Sequence, residues 1–134
     1  MTTPSDLSWM LGNFTQRLPE VTRAIAVSVD GLAVAYAGVE RDDADRLAAI
    51  ASGVVNLLSA AAQLTETDPV EHSLTAMEGG YLFSMAISNG ASLLVTTTRE
   101  ADIGEVSYLM SELINQVGDA LSPEIRDSPL ASPH

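Results

Sequence analysis

Apolar residues recur along the chain with two different periods, and the changes of period predict its helices and strands. Near the N-terminus they fall three or four positions apart, the spacing of one face of an amphipathic α-helix: Leu7, Met10, Leu11, Phe14 and Leu18. Ser5 or Asp6 is expected to cap this helix, and Pro19 to end it. Trp9 lies off the apolar face, so it is either the edge of the buried surface or a contact for a partner.

Two segments of alternating side chains follow, 22–29 and 32–38, and they predict a pair of β-strands. The dipeptide Asp30-Gly31 between them is typical of a type I′ hairpin turn, in which both central residues have positive φ. We therefore interpret Asp30 as a turn residue and not as a catalytic or metal-binding carboxylate. Neither segment carries a charge in its central residues, which predicts a sheet covered by helices on both faces.

A long middle helix is predicted next. Its start is indicated by the acidic run Asp42, Asp43 and Asp45, since acidic groups are favourable at the positive end of a helix dipole. From 47 to 65 the sequence has no charged residue. A bilayer could be crossed by about 20 apolar residues, but polar residues within this helix argue against a membrane span: Ser52, Asn56, Ser59 and Gln63.

The apolar surface of the middle helix is wider than one helix face. Such a helix is most simply buried twice, once against its own sheet and once against a second copy of the chain. We predict a homodimer on this basis. The middle helix is expected to contribute a group of apolar residues to the contact: Leu47, Ile50, Val54, Leu57, Leu58 and Ala61.

The second half of the chain predicts three more strands and a last helix. The strands are 70–77, 81–88 and 91–98, joined by the turn dipeptides Gly79-Gly80 and Asn89-Gly90. The first of them is rich in polar residues, as is typical of an edge strand or a subunit boundary, and we assign Val70, His72 and Leu74 to the same interface. The last helix is expected to start near Asp102.

The order of these elements predicts the fold class. It is α-ββ-α-βββ-α, which favours an α+β sandwich with a five-stranded antiparallel sheet and helices on both faces. Residues 122–134 contain three prolines and are expected to be a disordered tail, so that 1–121 forms one domain.

The charge balance limits the classes of partner. The chain has 18 acidic residues against 6 basic ones, all arginine, and a formal net charge of −12. Such a surface repels phosphate backbones and anionic lipids, so we expect neither nucleic acid nor a membrane as partner, and a basic protein surface is the natural complement. The N-terminus lacks the pattern of a secretory signal, and a cytoplasmic location is expected.

No group of residues indicates catalysis, and we expect no enzymatic activity, metal or cofactor. The chain has no cysteine and no lysine, which excludes thiol nucleophiles and Schiff-base chemistry. His72 has a glutamate and a serine beside it, but adjacent residues of a strand point to opposite faces, which does not favour a catalytic triad.

A function from another class stays open at this point. Sheet-and-helix domains of this size also serve as small-molecule sensors of the PAS or GAF type, with a hollow between sheet and helix. The alanine-rich strand faces, together with Met77, Met85 and Met110, are candidates for lining such a hollow.

Three segments accompany this order of elements: DLSWML at 6–11, AVSVDGLAVA at 26–35 and NGASLLV at 89–95. Together with the closing amphipathic helix, they resemble the Roadblock family, the dynein light-chain roadblock type, in its bacterial branch. The resemblance extends from about Asp6 to Leu121. It implies a roadblock/profilin-like fold and a non-catalytic homodimer, in which the long middle helices pack together and the third strands meet, so that the sheet continues across both chains.

The resemblance also implies partners. They are a small Ras-like GTPase in bacterial signalling and, in addition, a sensor-kinase-like protein. The middle helix belongs to the GTPase-facing surface of relatives, and Arg41, Arg46 and Trp9 are the candidate partner contacts in this chain. Because this helix has no arginine late in its length, the expected action is a repositioning of the GTPase switch loops and not an arginine finger.

Overall fold

The structure, a computed structural model, describes residues 4–87 and 90–121. Its elements are α1 (Pro4–Arg17), β1 (Val21–Val27), β2 (Ala33–Ala37), α2 (Arg41–Leu64), β3 (His72–Met77), β4 (Gly80–Ala86), β5 (Ser92–Thr98) and α3 (Ile103–Leu121). The predicted order α-ββ-α-βββ-α is confirmed. The strands form one antiparallel sheet in the order β2-β1-β5-β4-β3, which leaves β2 and β3 at its edges.

One face of the sheet packs against α1 and α3. The predicted apolar stripe of α1 is buried there, with Leu7, Leu11 and Phe14 each at most 3% exposed. Ala24 and Ala26 of β1 have their small side chains on this face and are completely buried in the core that it forms with the two helices. Met110 of α3 is part of the same core.

The other face of the sheet packs against α2. Successive side chains of a strand point to opposite faces, so Ile25 and Val27 of β1 contribute to a second core with Leu94 of β5. The prediction that helices cover both faces is therefore confirmed for the centre of the sheet. It does not extend to β3, where five of the six residues are exposed.

The first hairpin differs from the predicted type I′ turn. The Gly31 N–H donates to the carbonyl of Ser28, and the Ser28 N–H donates to the carbonyl of Leu32. The loop therefore has three residues, and positive φ is needed only at Gly31, where it is 82°. This is the arrangement of a turn followed by a glycine bulge, and Asp30 lies within it as an exposed turn residue.

The second hairpin turn is also displaced from its predicted position. Met77 pairs with Gly80, so the turn residues are Glu78 and Gly79, and Gly80 is the first residue of β4. Gly80 is buried there, and a Cβ on it would collide with the carbonyl oxygen of Thr97. The third predicted turn includes Asn89, which lies outside the described residues.

The helix starts follow local capping chemistry. Pro4 is the first described residue and is already part of α1, so the predicted caps Ser5 and Asp6 lie within the helix. α3 starts at Ile103, next to the predicted Asp102, and Oδ1 of Asp102 accepts the N–H of Glu105 at 3.0 Å, as an N-cap residue does. The predicted tail, 122–134, lies outside the described residues.

Gly38, the residue after the edge strand β2, has a backbone conformation that can be tested by substitution. Its φ is +79°, and a Cβ on it would collide with the carbonyl oxygen of Thr22. We expect Gly38→Ala to lower the free energy of unfolding by about 1–3 kcal/mol, measured by urea denaturation. Gly12→Ala in α1 is the control, because nothing lies within 4 Å of the added Cβ, and it should raise stability by about 0.5–1 kcal/mol. An equal change in the free energy of unfolding for the two variants would contradict backbone strain in Gly38→Ala.

Candidate interaction surface on the middle helix and the edge strand

The helix α2 packs on its own sheet through alanine side chains. Its buried residues are all of this type: Ala44, Ala48, Ala51 and Ala62. The first three belong to the core formed with β1 and β5. Because the alanine side chain is a single methyl group, α2 can lie close to the sheet. Most of the larger apolar side chains of the helix then lie on its outer side.

The large apolar residues of α2 therefore point away from the protein. Leu57 is 76% exposed, Ile50 57%, Val54 41% and Leu58 36%, and Ala61 is exposed as well. These are five of the six residues that were predicted to form the dimer contact on this helix. Leu47 differs, since it is half-buried and packs against the core of its own chain.

The edge strand β3 was predicted to contribute to the same interface. It pairs with β4 on one side and has no strand on its other side within the described residues. His72 and Leu74 of the predicted interface are exposed on it, and Val70 is half-buried just before it. Leu74 lies opposite Phe83 and hence on the face of α1 and α3.

Two further residues belong to the exposed surface and were missing from the predicted contact set. Leu64 is 85% exposed at the end of α2, and Met77 is 46% exposed at the end of β3. Leu64 continues the helical spacing of Leu57 and Ala61, which was a usable signal. Met77 had no such signal, because its exposure follows from the edge position of β3.

Arginine side chains lie at the opposite end of α2. Arg41 and Arg46 are exposed there, and Nη1 of Arg46 is 3.9 Å from Oδ1 of Asp43. Arg46 also lines a cleft of about 590 Å³ with Arg23 of β1. Nη1 of Arg23 donates to Oγ1 of Thr96 at 3.3 Å. The position of Arg23 in this cleft was not predicted from the sequence, because Arg23 reaches Thr96 only through the pairing of β1 with β5.

Trp9 lies on the other side of the molecule. It is 71% exposed on α1 and lines a groove of about 380 Å³ between α1 and α3, with Met10 and Leu109. Because α1 and α2 cover opposite faces of the sheet, the structure does not bring Trp9 together with Arg41 and Arg46.

A five-stranded antiparallel sheet with α1 and α3 on one face and α2 on the other is a fold that is also found in other proteins. Residues 7–97 match the sequence profile of the Roadblock/LC7 domain. The chain belongs to the Roadblock/LC7 family. The Roadblock/LC7 domain of Streptomyces avermitilis is 32% identical, with a TM-score of 0.78 over 82% of this chain and 92% of the other.

Two MglB structures share the fold of this Roadblock/LC7 domain at lower identity. MglB in a tetrameric arrangement is 14% identical, with a TM-score of 0.82 over 92% of this chain and 93% of the other. The gliding protein MglB of Thermus thermophilus is 16% identical, with a TM-score of 0.73 over 96% and 95%. No protein with a curated function matches this chain at a significant level.

Members of the family are generally non-catalytic adaptors or regulators. His72 is exposed and lines the same cleft as Ser111, whose hydroxyl lies 3.1 Å from the carbonyl oxygen of Ser107, its hydrogen-bond acceptor, and 3.7 Å from Sδ of Met85. No three histidine or acidic side chains within 4–87 and 90–121 are grouped as metal ligands.

A cleft with a volume of about 1030 Å³ lies at the start of the edge strand. It lies between the second half of α2, the start of β3 and α3. Serine hydroxyls and apolar groups line it together: Ser59, Ser73, Ser84, Ser107, Val55, Val70 and Met85. Of the three methionines proposed for a ligand hollow, only Met85 lines this cleft, since Met110 is fully buried and Met77 is exposed elsewhere.

Proposed function

We propose that this Roadblock/LC7 domain is a non-catalytic homodimeric adaptor of bacterial signalling that binds a small Ras-like GTPase and regulates or localises it. One observation carries the proposal: α2 is seated on its sheet by alanines and exposes its isoleucine, valine and leucine side chains. A protein rarely leaves a continuous apolar patch of this kind in water, and such patches mark interaction sites.

A second copy of the chain is the occupant we propose for the centre of this patch. In a two-fold contact the same apolar surface is used by both chains, so Val54, Leu57 and Leu58 would pack against their own counterparts. The free edge of β3 would at the same time pair with the same edge of the second copy. MglB, which shares this fold, has been solved in a tetrameric arrangement, and this supports self-association of the chain.

Lipid is the other candidate for covering α2. Among the described helices it is the one that is long and apolar enough to cross a membrane by length and composition. However, Ala44, Ala48 and Ala51 hold its inner face on the sheet, and a helix packed in this way is part of the domain. The formal net charge of −12 also disfavours anionic lipid surfaces. We therefore place the protein in the cytoplasm.

The GTPase part of the proposal rests on the family resemblance and on charge. Arg41 and Arg46 are exposed beside the apolar patch, where they can contact a partner. No arginine follows Arg46 within α2, so this helix supplies no arginine finger from its later turns, and regulation would act by repositioning the switch loops. A sensor-kinase-like protein is a further proposed partner.

Two measurements test this proposal. Light scattering on the purified chain should give twice the 14.1 kDa mass of a single chain. The tagged chain should then capture a small Ras-like GTPase from native cell extract, with recovery that differs between extracts supplied with GDP and with a non-hydrolysable GTP analogue. A single-chain mass at micromolar concentration would contradict the dimer, and the absence of a GTPase under both nucleotides would contradict the adaptor function.

A small-molecule sensor is the second candidate function, and the cleft of about 1030 Å³ is the observation that favours it. Its serine hydroxyls can bind polar groups of a ligand, and its valine and methionine side chains can contact apolar ones. Native mass spectrometry of the protein purified from its own cells tests this function. A bound small molecule of constant mass would support it, and an empty protein would contradict it.

A further inference from the structure

The groove between α1 and α3 lies on the face of the sheet opposite α2. Its volume is about 380 Å³, and Trp9, Met10 and Leu109 are among the residues that line it. Trp9 is the only tryptophan of the chain, and it is 71% exposed. A large aromatic side chain gains free energy when its surface is removed from water. The groove therefore favours an occupant that carries apolar groups.

The same groove offers one charged side chain of each sign. Arg17 lines it from α1 and Glu112 lines it from α3, and both side chains are exposed. Within 4–87 and 90–121, neither of these two residues forms an ion pair. An occupant that uses both of them must carry a cation and a carboxylate close to its apolar groups.

The sequence that follows α3 has this combination of groups. It continues from 122 to 134 with SPEIRDSPLASPH, in which Arg126 and Asp127 are adjacent. Within 125–130, IRDSPL, these two charges are flanked by isoleucine, proline and leucine. The three prolines of 122–134 restrict the unbound chain, which reduces the conformational entropy that is lost on binding.

The segment is also long enough to reach the groove. An extended chain advances about 3.3 Å per residue, whereas a helix advances about 1.5 Å. If the chain reverses within two residues of Leu121, the last residue of α3, Arg126 comes level with about position 115 of this helix. Glu112 is within side-chain reach of that point. Ser128 then comes level with about position 110, beside Leu109 of the groove.

We propose that residues 125–130 bind in the groove between α1 and α3 of their own chain, where they cover Trp9. The segment binds in an extended conformation, which its prolines favour, and proline-containing extended segments are suited to grooves with an exposed aromatic side chain. The covalent tether gives the segment an effective concentration in the millimolar range. A contact that would be weak between separate molecules is therefore formed most of the time.

The alternation of side chains allows two ion pairs at once. Successive side chains of an extended segment point to opposite sides. A segment that lies between the two helices directs Arg126 toward α3, which carries Glu112, and Asp127 toward α1, which carries Arg17. Exposed ion pairs of this kind contribute little free energy, so they fix the register of the segment, while the covering of Trp9 contributes most of its binding.

A fluorescent label on the segment tests the contact in the full chain. Because the chain has no cysteine, Ser128→Cys provides a single position for a bimane group, and tryptophan quenches bimane on contact. With Trp9 in place the label should be at least about twofold dimmer than in the same chain with Trp9→Phe, since the tethered segment is bound most of the time. The control carries bimane at Ala49→Cys, which is exposed on α2, and there Trp9→Phe should change nothing.

Reversal of charge tests the proposed register with the same label. Arg126→Glu and Glu112→Arg should each lower the ratio of bound to free segment about fivefold at low ionic strength. The two changes together should restore this ratio to within about twofold of the unreversed chain. Asp45→Arg is the matched control, because Asp45 is exposed on α2. Combined with Arg126→Glu, it should restore nothing.

The other occupants of the groove give different results. If Trp9 does not dim the label at position 128, the groove is open to another protein and the inference is overturned, while the proposed dimer and adaptor function stand. Labelled chains with Trp9→Phe, mixed with unlabelled wild type, should remain bright. Dimming in this mixture would assign the segment to the groove of a second copy and would overturn binding within one chain. A double reversal that restores nothing would exclude the pair of Arg126 with Glu112.

Discussion

Leu57→Asp is expected to convert the protein from a dimer into folded monomers. The Leu57 side chain is 76% exposed in a single chain, so an aspartate there is hydrated and the fold is undisturbed. In the proposed dimer the same position is covered by the second copy. An unpaired carboxylate in an apolar contact costs several kcal/mol, and by symmetry the contact contains it twice, so the dissociation constant should rise by at least about a thousandfold.

Light scattering together with circular dichroism measures this effect. The mass should fall to that of one chain while the helix signal stays at its wild-type value. Val54→Asp should behave in the same way, since Val54 is exposed one turn earlier. Leu32→Asp is the matched control, because Leu32 is 62% exposed in the first hairpin and is not one of the predicted contact residues. A dimer mass that persists in both α2 variants would remove these residues from the interface.

Ala48→Leu is expected to destabilise the fold, whereas Ala49→Leu on the same helix is not. Ala48 is completely buried where α2 lies on the sheet, and Ala49 is exposed. Three extra carbon atoms at position 48 must displace Ile25, Val27 or Leu94 or lift the helix. Overpacking of this kind lowers the free energy of unfolding by about 1–3 kcal/mol. The exposed change should stay within about 0.5 kcal/mol.

Urea denaturation at one protein concentration compares the two variants. It has to be combined with the dissociation constant, because a dimer gains stability from association. If the larger side chain of the Ala48→Leu variant lifts α2, the outer side chains of the helix move as well, and this variant should also weaken the dimer. Equal stability of the two variants would show that a larger side chain fits between α2 and the sheet. The close packing of Ala48 would then not be needed to position α2.

The packing of α2 shows how much of the structure the periodicity of apolar residues predicts. The helical spacing of apolar residues predicted an apolar surface wider than one face, and α2 does have buried alanines toward the sheet and larger apolar residues on its outer side. The contact on the outer side stays a prediction. The spacing did not tell which side meets the sheet. That depends on how closely the helix approaches Ile25 and Val27, and the same contact packs the half-buried Leu47 against the core of its own chain.

The hairpins show the limit of turn signals. Asp30-Gly31 and Gly79-Gly80 marked the positions of two turns within a few residues. Their geometry followed from the register of the paired strands, because Met77 pairs with Gly80 and one loop contains three residues. The close approach of Gly80 to Thr97 likewise depends on a strand that is distant in sequence. Short signals identify a turn, but long-range pairing selects its type.

The sequence by itself determined the order of the elements, the acidic surface and the absence of charge along the middle helix, because these properties depend on neighbouring residues in the chain. The tertiary structure alone decided that alanines face the sheet, that Met77 is exposed at an edge, and that Arg23 and Arg46 share a cleft. Residues 23 and 46 come together only because the sheet pairs β1 with β5 and α2 packs across it. Contacts between distant segments have no local pattern, since they arise from the free energy of the whole fold.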